Sequence, residues 1–226
     1  MVAALAELHV YVLVMTVVVV GVVMVMAWDG DPEQDLCVAA EVGGLAQLHG
    51  NGQPCKPAAL VTADDFVFRG LRRPATSTLS PPSGVARKLA NVREWPGLNT
   101  QGMSMVRADF EPDGVNPPHL HPRATEIALV SQGIFYAGFI TSNGTLYAAT
   151  LQAGDVMVFP RGLVHFQIHL GKGHGVLFGS LNSQDPGTIM LPSTLFGSSI
   201  PNYVLSKAFL LSHDEVTSLK SKFQKR

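Results

Sequence analysis

Between Ser104 and Leu191 the chain is a series of short apolar runs, each stopped by glycine, proline or a polar turn. Runs of this length suit strands rather than helices. They predict strands over residues 104–110, 125–132, 134–141, 145–151, 155–159, 164–170, 175–181 and 188–191, with an earlier short one at Phe66-Val67-Phe68. No helix of convincing length separates them, which argues against a parallel α/β sheet. The expected class is all-β, a single closed barrel of the jelly-roll type. A chain of 226 residues accommodates one such barrel with extensions at both ends.

Two stretches inside this series carry chemistry. The first runs Gly114-Val115-Asn116-Pro117-Pro118-His119-Leu120-His121-Pro122-Arg123-Ala124-Thr125-Glu126, the second from Gly154 through Pro160-Arg161-Gly162 to His165. Residues two apart on a strand share a face, so His119 and His121 can grip one ion. Pro122 interrupts strand pairing and bends the chain before Glu126. The Pro-Arg-Gly turn can bring His165 opposite the first pair. Three neutral imidazoles and one carboxylate leave a divalent ion with one uncompensated positive charge. The set lacks a thiolate, which disfavours soft metals and closed structural zinc. Nitrogen and oxygen donors suit manganese, iron, zinc, copper or nickel. On an octahedral ion, four protein ligands leave positions for water or substrate.

With these residues the chain resembles the germin-like proteins of the cupin superfamily. The family's first box reads Gly, five residues, His-x-His, three or four residues, Glu, six residues, Gly; His119, His121, Glu126 and Gly133 match it. Asp113 stands at the first Gly. The second box is matched by Gly154, Pro160, Gly162 and His165, with His169 in place of its closing Asn. Flanking stretches agree: Trp95-Pro96-Gly97-Leu98-Asn99-Thr100, Leu181-Asn182-Ser183-Gln184-Asp185-Pro186-Gly187 and Leu195-Phe196-Gly197-Ser198-Ser199. The resemblance implies a cupin barrel, one manganese ion per chain on His119, His121, Glu126 and His165, and a homohexamer built as a trimer of dimers. It also implies an extracellular, cell-wall location and a role in plant defence.

The N-terminus points to export. Leu8 to Trp28 carries no Asp, Glu, Lys or Arg and is dominated by Val, Met and Leu. It reads as a signal peptide over residues 1–27, with Val25-Met26-Ala27 as the cleavage site, after which no stable membrane insertion is expected. The rival reading is a retained membrane anchor, because an apolar run of this length can span a bilayer. In an exported chain Cys37 and Cys55 are expected to pair, within an N-terminal arm over residues 28–63. Asn143-Gly144-Thr145 is a glycosylation sequon at an expected hairpin turn. The net charge of −1 and pI near 6.7 give no basic footprint for nucleic acid.

The barrel is expected over residues 64–200 and a helical clasp over 201–226. Val204, Leu205, Ala208 and Phe209 have helical spacing. Ser212 and Glu215 form a capping box before a stripe of Val216, Leu219 and Phe223. Such helices can clasp a neighbouring subunit or pack on their own barrel. Along 164–170, His169 shares a face with His165, either as a further ligand or donor or as a hydrogen-bonded filler. His9, His49, His174 and His213 lack partner spacing.

Several reactions are known in the family. Its oxalate oxidases use two asparagines near the metal; Asn116 matches one, but Val106 stands at the other and cannot donate a hydrogen bond. Oxalate oxidase activity is therefore expected to be weak or absent. Superoxide dismutation needs less: a redox metal, an open position, positive charge to draw the anion, and a proton source positioned by Asn116. The alternative is a non-enzymatic extracellular protein, a metal-dependent receptor or a structural wall component.

Overall fold

A computed structural model of the chain describes residues 35–40, 52–75 and 83–223. The expected leader, His9, His49 and much of the N-terminal arm lie outside the described residues. The described residues from Cys37 onward form one compact unit.

Ten strands make two antiparallel sheets. They are β1 (Val85–Ala90), β2 (Ser104–Phe110), β3 (Val115–Leu120), β4 (Glu126–Gln132), β5 (Ile134–Ile140), β6 (Leu146–Gln152), β7 (Val156–Phe159), β8 (Val164–His169), β9 (Gly175–Leu181) and β10 (Ile189–Met190). One sheet has the order β1-β2-β9-β4-β7, the other β10-β3-β8-β5-β6. This is the expected jelly-roll barrel. Its apolar core joins both sheets: Val85, Phe110, Val130 and Leu177 of the first pack against Phe135 of the second. The Phe110 and Phe135 rings meet edge to face at 4.9 Å.

Three local predictions need correction. Phe66-Val67-Phe68 is no strand; a 3-10 turn occupies Ala63–Phe66 instead. Thr62 and Asp65 form a capping box, and the Asp65 carboxylate accepts the Thr62 N–H at 2.7 Å. That local capture outweighs the β-propensity of the following residues. The expected strand at 188–191 ends at Met190, because Pro192 suits a helix's first turn and α1 (Leu191–Phe196) begins there. The helical tail thus starts earlier than residue 201. β1 lies outside the expected strand ranges, and the strand expected around His119 and His121 runs instead from Val115 to Leu120 as β3.

The tail continues with α2 (Asn202–Phe209) and α3 (His213–Phe223). Ser212 Oγ accepts the Glu215 N–H at 3.3 Å, and Glu215 accepts the Ser212 N–H at 2.7 Å, so the capping box forms as expected. Val216 and Leu205 are buried, and the Phe196 ring packs between Phe209 and Phe223. Tyr203, Val204, Phe209 and Leu210 remain exposed. Leu210 caps α2 with φ 56°, a left-handed conformation that L-residues adopt at a cost. Leu210→Gly is expected to raise stability by about 1 kcal/mol, read as a higher urea midpoint at unchanged slope.

Cys37 and Cys55 form a disulfide with Cα atoms 4.8 Å apart. Closing this loop stabilises by roughly 3 kcal/mol in the chain-entropy picture. Buried Asn99 ties the bridge to the barrel: it donates to Gln53 O at 2.8 Å and accepts from Gln53 N at 2.9 Å. Asn143 is exposed in the β5–β6 turn, where its Oδ1 accepts the Thr145 N–H at 3.2 Å.

Candidate metal centre

β8 is an inverted strand. Its apolar residues Val164, Phe166 and Ile168 face outward, while His165, Gln167 and His169 are buried inside the barrel. A hydrophobic scan would choose the opposite face. Polar side chains can occupy an interior only if they find partners, and those partners are the site.

β3 is laid beside β8 with a shifted register: Asn116 opposes Gln167, and His119 opposes His165. Three residues on β3 span two on β8, which is a bulge. Residues three apart on a regular strand would point to opposite faces. The bulge turns both Asn116 and His119 inward, and Pro117 and Pro118 sit where pairing is lost. His121 follows just beyond the strand. Glu126 opens β4 in the facing sheet.

The four predicted ligands come together. One donor atom from each of His119, His121, Glu126 and His165 lies within 4.8 Å of all the others, and all four residues are buried. Glu126 Oε2 is 3.1 Å from His121 Nε2 and 3.3 Å from His165 Nε2. Each imidazole is oriented from behind by a backbone carbonyl. His119 Nδ1 donates to Pro117 O at 2.8 Å, His121 Nδ1 to Gly187 O at 2.6 Å, and His165 Nδ1 to Leu163 O at 2.9 Å. A carbonyl only accepts, so each Nδ1 carries a proton and Nε2 is the nitrogen left to ligate; without a metal, His121 Nε2 carries a proton as well and donates it to Glu126.

The electrostatics agree with a metal-ligand role. Burial, reinforced by neighbouring His165, lowers His119 to about 3, so it is a neutral ligand at ordinary pH. Burial also pushes His121 down, but its hydrogen bond and attraction to Glu126 outweigh this and leave it above the usual imidazole value. Burial raises Glu126, yet the contacts with His121 and then His165 dominate and hold it at about 2. The carboxylate is therefore ionised. His165 Nε2 is buried without a hydrogen-bond partner among the described residues, because its approach to Glu126 lacks hydrogen-bonding geometry. A divalent ion supplies what that orphaned lone pair lacks, so the donor set fits one.

His169 is excluded from this set. It lies four residues from His165 along the strand, roughly 13 Å. Its Nδ1 donates to Glu111 O at 3.2 Å and its ring packs on Phe135. It fills the space through its Nδ1 bond and the ring contact, and its Nε2 is buried without a hydrogen-bond partner among the described residues. His174 and His213 are exposed and remote.

The motif residues that do not bind metal shape the surroundings. The box glycines Gly133, Gly154 and Gly162 all have positive φ, and Asp113, at the family's Gly, also does at 59°. Asp tolerates that region better than most residues. Asn182 Oδ1 accepts the Thr125 N–H at 2.7 Å ahead of β4, and Asp185 pairs with Arg93 at 3.0 Å.

A cavity of about 470 Å³ adjoins the centre, lined by His119, His121 and Glu126. Asn116 also lines it, but its amide is already engaged. Nδ2 donates to Gln167 Oε1 at 2.7 Å, and Oδ1 accepts from Arg87 Nη1 at 2.5 Å. Sequence reading missed Arg87. The signal was there in Val85-Ala86-Arg87-Lys88-Leu89, where period-two alternation places Arg87 on the same face as buried Val85. It also missed Gly179, whose lack of a side chain makes room for the Glu126 carboxylate.

The chain matches the Cupin family over residues 70–217. It is 50% identical to germin-like protein subfamily T member 2 of Arabidopsis thaliana over 210 residues, 92% of each chain. It is 46% identical to oxalate oxidase 2 of Hordeum vulgare, covering 88% of this chain and 89% of that one. It is similar to a solved oxalate oxidase in complex with the substrate analogue glycolate, with a TM-score of 0.80 and 44% identity over 85% of this chain and 96% of the other.

Proposed function

This chain belongs to the germin-like proteins of the cupin family, and from that membership we propose that it is a secreted, manganese-loaded protein that dismutates superoxide. The observation that carries the reading is the convergence of three imidazole nitrogens and an ionised carboxylate at the wall of an open cavity. When bound, manganese would supply two accessible oxidation states. His119, His121, Glu126 and His165 would hold it, and their backbone carbonyl partners keep the imidazoles in the ligating tautomer. Arg93 and Arg123 line the cavity and share one counter-charge, Asp185, which leaves net positive charge to draw a small anion inward. Asn116 retains one amide N–H beyond its bond to Gln167, able to position a proton-donating water or an anion.

Oxalate oxidation, the activity in the barley relative's name, is expected to be weak. Val106 lines the cavity and offers no hydrogen bond to a substrate oxygen, a loss that typically costs a kcal/mol or more. The reading includes a homohexamer, supported by the exposed apolar residues of α2 and by Ile127, Leu129, Val156 and Val158 on adjacent strands. It also includes an apoplastic location and a glycan on Asn143.

The test is metal content and dismutase activity of the secreted protein and of His121→Ala. About one manganese per chain is expected, with activity, and both should disappear in the variant. Zinc in its place, or activity that survives metal loss, would overturn the reading. Robust hydrogen peroxide release on oxalate would overturn the role given to Val106.

A further inference from the structure

The cavity is far larger than a diatomic anion requires. Its volume of about 470 Å³ falls in the range of sites for organic ligands. One part of its lining is apolar, including Val106, Ala108, Leu177 and Met190. Against this stands the guanidinium of Arg87, carried on β1 and reaching across the barrel to Asn116 on β3.

We propose that the cavity binds a monocarboxylate with an apolar body, its carboxylate held by Arg87 and its body lying against the apolar lining beside the metal centre.

Arg87 has the makings of an anion receptor. Among the described residues no carboxylate lies within 4.0 Å of it; its partners are Asn116 Oδ1 at 2.5 Å and Met190 Sδ at 3.4 Å. A guanidinium has five N–H donors, so most of its capacity is unused. Arg87 is half-buried, and that burial pushes it below its ordinary value. A half-buried charge without a counter-ion is costly, and an anion bound in two-point fashion relieves that cost. The clamp is also prearranged, because Gln167 fixes the Asn116 amide whose oxygen holds Nη1.

Three further observations fit. Arg87 lines the same cavity as His119, His121 and Glu126, so a ligand it holds lies in the space beside the ligand set. Ser104 lines the same cavity, 2% exposed, with its Oγ unpartnered, and offers another hydrogen bond. Glu126, the nearest fixed negative charge of the ligand set, is balanced by His121 or by a metal and does not repel the incoming anion.

The experiment is calorimetric titration of the metal-loaded protein with butyrate and phenylacetate, each compared with its neutral amide. Wild type is expected to bind at least one acid about tenfold more tightly than its amide, and Arg87→Met to abolish that preference. Equal affinity for acid and amide overturns the proposal, as does no saturable binding of either acid. A preference that survives Arg87→Met places the carboxylate on the metal instead and also overturns it. The acid-to-amide comparison needs only wild type, so a misfolded variant does not rescue the idea. Binding does not depend on turnover, so acid preference without dismutase activity sinks the proposed function alone. Dismutase activity without acid preference sinks this proposal alone.

Discussion

Gly179→Ala is expected to empty the metal centre while leaving the barrel folded. Gly179 lies on β9 between Val106 of β2 and Ala128 of β4. A methyl group there would run into Glu126 Oε1 and would stand 2.7 Å from Val106 Cγ1. The valine can shift within the cavity. The carboxylate cannot shift without leaving the three imidazoles, since it is buried and pinned by His121. Gly179 is not among the glycines with positive φ, so alanine suits its backbone. Disturbing groups that orient ligands costs 10–100-fold in metal affinity, and displacing a ligand should cost at least about 100-fold by that standard. Metal per chain after dialysis against a weak chelator measures the effect, with near-UV circular dichroism to follow packing. Adding Val106→Ala should not restore the metal, because it relieves the lesser contact. A Gly179→Ala protein that keeps its metal would show that Glu126 has another way to reach the ion.

The metal-free protein should be most stable near pH 6.5 and lose stability on either side. His119 falls from the usual 6.5 to about 3 on folding. Between those values the unfolded chain binds the extra proton, so stability declines as pH falls through the window. The slope is about 1.4 kcal/mol per pH unit. Glu126, lowered from 4.5 to about 2, adds a second decline of the same sign below pH 4.5. His121 acts oppositely: its folded value is raised, so its contribution is complete below the unfolded value and is lost as pH rises through the folded one. Urea midpoints of chelator-treated protein from pH 4 to 8 would trace the peak. Binding metal needs the same imidazoles without protons, so the loaded protein should gain most over the metal-free form at the alkaline end. A profile that keeps rising from pH 6 to 8 without metal would contradict the assigned role of Glu126 at His121.

The sequence carried most of this site because metal ligands announce themselves by type and spacing. His119 and His121 alternate as strand residues do, and a proline turn brings His165 opposite. What it concealed has physical causes. The bulge in β3 depends on pairing with β8, a long-range event, and the two prolines within it speak against a strand. β1 was missed because Arg87 and Lys88 lower its apparent strand character, although Arg87 is the residue that enters the cavity. The polarity of β8 was legible as alternation, but alternation does not say which face is inside; only the ligand set on the facing strands decides that. The 3-10 turn at Ala63–Phe66 shows a capping box prevailing over apolar, β-prone neighbours.

The ligands are drawn from both sheets, Glu126 from one and His119 and His165 from the other. A held ion is therefore a rivet through the two walls at one end of the barrel. Separating the walls there requires the ion to leave first, so the lifetime of the closed barrel becomes tied to a coordination lifetime rather than to apolar packing alone. The amides of β3, β4 and β8 should then exchange with solvent in step with metal release. The edge strands β6 and β7, which carry none of the four ligands, would open on their own schedule.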